Sequence, residues 1–173
     1  MPYAALPDLT LESFRRNGRV NAALLDALTD ADLDLSDNRG GWTVGQHLGH
    51  MANFRQDWLS NISPPHAGGL PGVIARDGEG FRLTLRDPAD LARAFAIGDD
   101  AALAAVRDAI TSGQPFADPW NEGTYPSHPA HFLEHIIVHD SHHRGQVMAL
   151  LRLGGRPKEQ LDGLEEHWAI WRE

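Results

Sequence analysis

Apolar residues recur with the 3.6-residue period of an α-helix over four long segments, and this pattern most constrains the fold of the chain. It predicts helices at residues 9–28, 43–61, 88–110 and 127–154, followed by a shorter helix near the C-terminus. Connections rich in proline and glycine separate them at residues 63–87 and 113–126, the first with an extended piece at Phe81–Leu85. We therefore expect an all-α, four-helix bundle with long connections and a short C-terminal helix, as a single domain over residues 1–173.

Residues with special backbone preferences mark the ends of these helices. Thr43, with Gln46 three residues later, matches the capping box that starts a helix. Pro64–Pro65 prevents the second helix from continuing, because proline has no backbone N–H and its ring clashes with the preceding turn. Asp87–Pro88 is a favourable N-cap and first position for the third helix, and Gly98 predicts a kink within that helix.

The composition narrows the classes of function. The chain has no cysteine, which excludes disulfides, thiolate metal ligands and a cysteine nucleophile. A net charge of −9 without a cluster of Lys or Arg argues against nucleic-acid binding. No apolar run approaches the ~20 residues needed to span a bilayer, and the first residues lack the pattern of a secretory signal. We expect a cytoplasmic protein that binds neither nucleic acid nor membrane.

Histidines are concentrated in the fourth predicted helix, between His128 and His143. Placed at 100° per residue, His139 and His143 lie about 40° apart on the helix surface, inside the apolar stripe. His131 and His142 fall toward the polar side. Two neutral imidazoles one helical turn apart form a common half of a divalent-metal site. The alternative interpretation is a pair of core histidines satisfied by hydrogen bonds.

A second pair, His47 and His50, lies on the second predicted helix. The centre of the apolar stripe there lies about 50° from His47 and about 110° from His50, so periodicity favours His47 as the inward residue. A ligand at the edge of the stripe can also point into a groove between helices. The residues alone leave both histidines open as the third ligand.

Two segments resemble a known family. Gly40–Met51, read as Gly-Gly-Trp-Thr-Val-Gly-Gln-His-Leu-Gly-His-Met, together with His139-Asp-Ser-His-His-Arg-Gly-Gln146 and Leu150–Gly154, resembles the DinB-like superfamily. That superfamily is also described as YfiT-like metal-dependent hydrolases and thiol transferases. The resemblance covers most of the chain in helix order. It implies an up-down-down-up bundle that is frequently a homodimer.

The resemblance also implies a site and an activity. The metal ligands of the family fall on His50, His139 and His143, with water or substrate completing the shell and His47 as the reserve ligand. Some relatives transfer a small thiol, such as bacillithiol or mycothiol, to an electrophile. The predicted function is therefore transfer of a low-molecular-weight thiol to an electrophile, both being small-molecule partners. The alternatives are a hydrolase that uses metal-bound hydroxide and a non-catalytic, stress-related binding protein.

Three neutral imidazoles suit several metals. Zinc is the first expectation, and nickel, iron and manganese also bind imidazole. Such an ion keeps its full charge, so it can lower the pKa of a bound water to ~7 or deprotonate a thiol.

Four further residues are candidates for catalysis or substrate binding. Asp140, next to a predicted ligand, is interpreted as a general base, as a residue that orients the ligand, or as part of the helix surface. Arg144 is interpreted as a catalytic or substrate-binding residue for a carboxylate or phosphate, or as an ion pair on the bundle surface or at a dimer contact. Trp120 and Tyr125 are interpreted as walls of a substrate pocket or as a cover for the end of the bundle.

Overall fold

The computed structural model describes residues 6–78 and 80–173, so the N-terminal residues judged above for a secretory signal lie outside it. The α-helices are α1 (Leu6–Asp26), α2 (Val44–Ile62), α3 (Pro64–Ala67), α4 (Pro88–Ser112), α5 (His131–Leu153) and α6 (Lys158–Glu166). A hairpin of two strands, β1 (Ile74–Asp77) and β2 (Gly80–Leu83), lies between α3 and α4, and 3-10 turns occupy Asp30–Asp34 and His167–Arg172. The predicted all-α fold is confirmed.

The long helices α1, α2, α4 and α5 form the bundle, and contacts between them give their directions. Near the start of both α1 and α5, Thr10 donates a hydrogen bond to Glu134 over 3.3 Å. Further along both helices, Arg144 donates to Asn21 over 2.6 Å. The contacts advance together along the two helices, so α1 and α5 run parallel.

Helix α2 runs against α5, because its contacts with α5 progress in opposite directions along the two helices. His47 contacts His143, whereas His50, one turn later on α2, contacts His139, one turn earlier on α5. The two helices therefore cross in antiparallel fashion, and this crossing brings the histidines of α2 and α5 together.

Helix α4 runs parallel to α2. Arg55, in the middle of α2, contacts Asp99 in the middle of α4 over 2.7 Å. His66, in the turn that follows α2, contacts Asp108 near the end of α4 over 3.1 Å. With α1 and α5 pointing one way and α2 and α4 the other, the helices follow the up-down-down-up order, which confirms that expectation.

The predicted end signals of the helices act as expected. Thr43 Oγ1 accepts a hydrogen bond from the backbone N–H of Gln46 over 3.1 Å, and Gln46 Oε1 accepts one from the Thr43 N–H over 3.0 Å. Asp87 caps α4 by accepting from the N–H of Ala89. Helix α4 continues through Gly98 as one helix, and the kink expected at this residue stays a prediction.

The connection before α4 is more ordered than the sequence predicts. Its extended piece is β2, which pairs with β1 in antiparallel register from Ile74 opposite Leu83 to Asp77 opposite Gly80. The hairpin lies against α2, where a Cβ on Gly49 would lie 2.7 Å from Leu83 Cδ1. Glycine at this position allows the hairpin to approach α2 closely, on the turn that carries His50.

Apolar side chains fill the bundle in two clusters, one toward each end. The first includes Leu24, Leu48 and Val147, and the second includes Phe14 and Phe132. Buried polar side chains occupy the helical turns between the two clusters. Over residues 6–78 and 80–173, no helix is both long enough and apolar enough to cross a membrane.

Candidate metal centre

Three histidines from two helices converge at one end of the first apolar cluster. His50 comes from α2, and His139 and His143 come from successive turns of α5. Each offers a ring nitrogen, and these three nitrogens lie within 4.8 Å of one another. The Nε2 atoms of His50 and His139 are 3.0 Å apart. Such a set of imidazole nitrogens could hold a metal ion.

Burial keeps His50 and His143 neutral. With the help of the neighbouring His139 and His47, it lowers the pKa of His50 to about 4. It lowers the pKa of His143 to about 3, again with the help of the other histidines. Neutral imidazole is the form that binds metals, so both rings are ready to act as ligands at pH 7.

His47 lies beside the three converging histidines and is only 5% exposed. Its inward position agrees with the helical periodicity of α2. Its Nδ1 lies 3.0 Å from Nδ1 of His143. The group of nitrogens within 4.8 Å contains His50 instead. The two residues thus have different surroundings, and the choice of His50 as ligand stays a prediction supported by this geometry.

Aromatic rings cover the histidines. Trp42 stacks on His143 with ring centroids 5.9 Å apart and an interplanar angle of 15°. Phe54 stacks on His139 at 4.0 Å and 26°. Phe81 of β2 packs edge-on against Trp42 at 5.1 Å. Neither phenylalanine was predicted at the site. Phe54 follows His50 by four residues on α2, a spacing that could have indicated it, whereas Phe81 comes from the hairpin.

A cavity of about 400 Å³ opens beside the histidines. Its lining includes Trp42, His47, His142, His143 and Gln146. Gln146 Nε2 lies 2.7 Å from His142 Nε2 at this edge. The cavity is large enough for a small organic molecule and brings it to the face of His143.

Asp140 lies in the core, where solvent does not reach its side chain. Its two oxygens accept hydrogen bonds from Arg55 over 3.0 and 2.7 Å, and Oδ2 also accepts from Asn17 and Asn21 over 2.7 and 2.8 Å. Burial alone would raise the pKa of Asp140, but the charge and hydrogen bonds of Arg55 hold it well below its usual range. A general base needs an accessible lone pair, so this environment argues against that role and against a place on the helix surface.

Asp140 also faces a predicted ligand. Its Oδ1 lies 3.9 Å from Nδ1 of His139, longer than a hydrogen bond. Within the described part of the chain, this buried nitrogen has no hydrogen-bond partner. The arrangement fits a carboxylate that orients a metal-binding imidazole from behind.

Arg144 is buried between α1 and α5 and is 7% exposed. Its Nη1 donates hydrogen bonds to Asn17 and Asn21 over 2.7 and 2.6 Å. The interpretation as a surface ion pair is wrong, because Arg144 is buried and bonded to neutral amides. The interpretation as a substrate-binding or catalytic residue finds no support in this position, since the lining of the cavity beside the histidines does not include it.

The buried polar network was missed at the sequence level. Its members include Arg55, Asn17 and Asn21, which lie on α1 and α2. The sequence did contain an indication of this network, because each of these polar residues lies at an inward position of an amphipathic helix. Because buried polar groups need hydrogen-bond partners, such positions predict that partners exist but do not identify them.

Trp120 and Tyr125 lie further along the bundle. Trp120 packs edge-on against Trp58 at 5.5 Å and lines a separate cavity of about 430 Å³ with Asp57 and Glu122. The Tyr125 hydroxyl is 2.8 Å from Nδ1 of His135. The structure therefore places Trp120 at a pocket, although not at the one beside His143.

Comparison with known proteins agrees with these observations. The sequence profile of the DinB family matches residues 1–173. The crystal structure of a DinB-like protein from Bacillus cereus superimposes with a TM-score of 0.57 at 22% sequence identity, covering 84% of this chain and 91% of that one. At this identity the likeness supports the fold alone. No curated protein sequence matches the chain significantly. On the match over its whole length, the chain belongs to the DinB family.

Proposed function

We propose that this protein is a metal-dependent enzyme that transfers a low-molecular-weight thiol to an electrophile. The observation that carries the proposal is the convergence of ring nitrogens from His50, His139 and His143 within 4.8 Å. Three imidazole ligands are typical of catalytic sites that keep one position open for water or substrate, whereas structural zinc sites have four protein ligands.

The three histidines would hold a divalent ion, with zinc as the first expectation and nickel, iron or manganese as alternatives. When bound, the ion supplies positive charge that lowers the pKa of a thiol or water beside it. The chain has no cysteine, so the reacting sulfur must come from a cosubstrate.

The surrounding side chains would hold and orient the reactants. Trp42 and Phe54 cover the faces of His143 and His139, which keeps the two rings in place and excludes water from them. The cavity beside His143 admits a small molecule, and Gln146 at its edge can bind a polar group of that molecule. Asp140 would orient His139 through its Nδ1 without contacting substrate.

The overall reaction is a substitution or an addition at an electrophilic carbon. The sulfur of the thiol forms the new bond to that carbon. The leaving group departs with the electron pair of the bond that breaks, or that pair stays on the opened ring of an epoxide. The thiol proton passes to solvent or to the displaced group, so atoms and charge balance without an oxidant or reductant.

The remaining expectations accompany this proposal. A homodimer is predicted and is checked by light scattering coupled to size-exclusion chromatography. Small molecules are the expected partners, while nucleic acid and membranes are not. The cytoplasm is the expected compartment, because free low-molecular-weight thiols are abundant in a reducing environment.

The test begins with the metal. Tag-free wild-type protein, the variant His143→Ala and the control His131→Ala are analysed for metal content after incubation with zinc, nickel or manganese. His131 is the matched control because it lies on the same helix and pairs with exposed Glu134, away from the cluster. We expect about one ion per chain in the wild type and the control, and loss of the ion in His143→Ala.

The second step measures turnover. Metal-loaded protein is mixed with bacillithiol, mycothiol or cysteine and with a chloronitrobenzene or an epoxide, and consumption of the thiol is followed. Thiol-dependent turnover that His143→Ala loses supports the proposal. Turnover of an ester or amide without thiol would identify a hydrolase instead. A wild type that binds none of the metals would make the protein a non-catalytic binding protein and overturn the proposal.

A further inference from the structure

We propose that His47 is a positioning residue for the metal centre. It accepts a hydrogen bond from Nδ1–H of His143 and so presents Nε2 of His143 to the ion. The inference rests on the metal site of the proposed function and adds a role for a residue of α2 that the ligand set does not use. It does not depend on which substrate the site takes.

The contact between His47 and His143 requires a defined arrangement of one proton. Their Nδ1 atoms are 3.0 Å apart, a distance at which one nitrogen donates and the other accepts. Neutral imidazole carries its proton on one nitrogen only. Either His143 donates from Nδ1 and keeps the lone pair of Nε2, or His47 donates and the proton of His143 is on Nε2.

Only the first arrangement allows His143 to act as a ligand while keeping this hydrogen bond. With the proton on Nδ1, Nε2 has a free lone pair for an ion held with His50 and His139. With the proton on Nε2, the one lone pair of His143 is already occupied by His47. Metal-binding histidines generally donate their other N–H to an acceptor that fixes the tautomer and the ring orientation. His47 is such an acceptor, supplied by the neighbouring helix.

The position of His47 suits an acceptor better than a ligand. Its Nδ1 is committed to His143, and the group of nitrogens that lie within 4.8 Å of one another contains His50 in its place. Its ring packs against Trp42 with centroids 5.3 Å apart, and His47 and His143 line the same cavity. His47 is buried, so water competes little for the hydrogen bond.

The two histidines of α5 differ in whether their Nδ1 atom has a hydrogen-bond partner. Nδ1 of His143 has a partner at hydrogen-bond distance, whereas Nδ1 of His139 has none among the described residues and faces Asp140 Oδ1 at 3.9 Å. His143 therefore has a hydrogen-bond partner that can orient its ring without an ion, whereas His139 has none among the described residues. The His47–His143 bond also joins α2 to α5, the two helices that supply all three ligands.

The first experiment is a chelator-competition titration of zinc with wild type, His47→Leu and His47→Gln. Leucine removes the acceptor and keeps an apolar side chain of similar size, whereas the side-chain carbonyl of glutamine can still accept. We expect His47→Leu to bind one zinc per chain about 10- to 100-fold more weakly, the loss typical when the hydrogen-bond partner of a ligand is removed. We expect His47→Gln to lie closer to wild type, and His131→Leu, the exposed control, to equal it.

The second experiment needs no variant of His47. Long-range proton–nitrogen NMR of zinc-loaded wild type reports the tautomer of each histidine, and backbone-to-side-chain correlations in the same sample assign the rings. We expect the Nδ1–H form for His143 and the Nε2–H form for His47. An Nε2–H form for His143 would overturn the proposal, even if His47→Leu failed to fold.

Each remaining outcome has a definite meaning. Loss of zinc from His47→Leu to the extent seen with His143→Ala would make His47 a ligand and overturn the positioning role. Unchanged zinc affinity in His47→Leu would overturn it as well. Wild-type protein that binds zinc but turns over no thiol contradicts the proposed function and leaves this inference standing. Wild-type protein that binds none of zinc, nickel and manganese overturns both.

Discussion

Arg55 and Asp140 form an ion pair in the middle of the bundle, with Nη2 and Oδ2 2.7 Å apart and neither side chain exposed to solvent. Arg55 also donates from Nε to Asp99 and from Nη1 to the backbone carbonyl of Met51. Asp140 in turn faces His139. One buried guanidinium thus connects α2, α4 and α5 behind the candidate metal centre.

Replacing Arg55 by methionine is expected to lower the free energy of unfolding by about 3–5 kcal/mol, because it leaves buried carboxylate charge without its partner. Urea denaturation at pH 7 measures the loss. The matched control is Arg86→Met, which breaks an ion pair with Asp34 whose two side chains are exposed. Such pairs contribute less than about 1 kcal/mol. Equal losses in the two variants would contradict a structural role for the buried pair.

Gly98→Ala is expected to destabilise the protein although alanine is the better helix former. A Cβ at this position would lie 3.1 Å from Cδ and 3.3 Å from Cβ of Arg55. Arg55 cannot move away easily, because its hydrogen bonds to three residues hold it. We expect a loss of about 1–3 kcal/mol from the overpacking, seen as a lower urea midpoint.

Gly145→Ala is the control for Gly98→Ala, and we expect it to change stability in the opposite direction. This glycine lies within α5. Apart from its chain neighbours and the backbone of its own helix, no described atom lies within 4 Å of the Cβ that the substitution adds. The alanine should therefore give its full helix-propensity benefit and raise the free energy of unfolding by about 0.5–1 kcal/mol. If both glycine variants changed stability in the same direction, the close packing of Gly98 on Arg55 would not be the cause.

Asp99 is expected to make stability depend on pH. Burial raises its pKa to about 6, against the opposing charge of Arg55 and with the help of nearby Asp140, compared with 3.8 for the unperturbed group. The folded protein therefore holds this proton where the unfolded chain has lost it. The contribution of Asp99 to stability must fall as pH rises from about 4 through 6.

The variant Asp99→Asn isolates the pH dependence caused by Asp99. The amide cannot ionise, and its oxygen can still accept the hydrogen bond from Arg55. Its stability relative to wild type should increase between pH 4 and pH 7 and level off above that range. Urea denaturation of both proteins at four pH values measures the difference. A difference that is constant with pH would contradict the raised pKa.

The helices were predictable because local residues determine them. The apolar stripes gave the four long helices, and side chains a few residues apart gave their starts, as in the cap formed by Thr43 and Gln46. The same stripes placed His139 and His143 inward. Pairing of β1 with β2 was not predicted, since it depends on contacts of Leu83 with α2 rather than on the pattern of the strands themselves.

The choice between His47 and His50 could not be made from one helix alone. Periodicity correctly placed His47 inward, but the direction in which His50 points depends on how α2 is rotated against α5. The partners of Arg55 were equally inaccessible, because Asp99 and Asp140 lie 44 and 85 residues away in the chain. Such contacts exist only once the helices have packed.

Thr43→Ala is expected to loosen the part of α2 that carries His47 and His50. The hydroxyl caps the first turn, and Gln46 of the same capping box also donates from Nε2 to the carbonyl of Phe81 over 3.0 Å. We expect a loss of about 1 kcal/mol in stability and faster amide exchange in the first turn of α2. Thr43→Ser, which keeps the hydroxyl, should retain most of the stability and most of the protection of these amides from exchange. If serine and alanine behaved alike, the cap would contribute little, and the position of the α2 histidines would depend on packing alone.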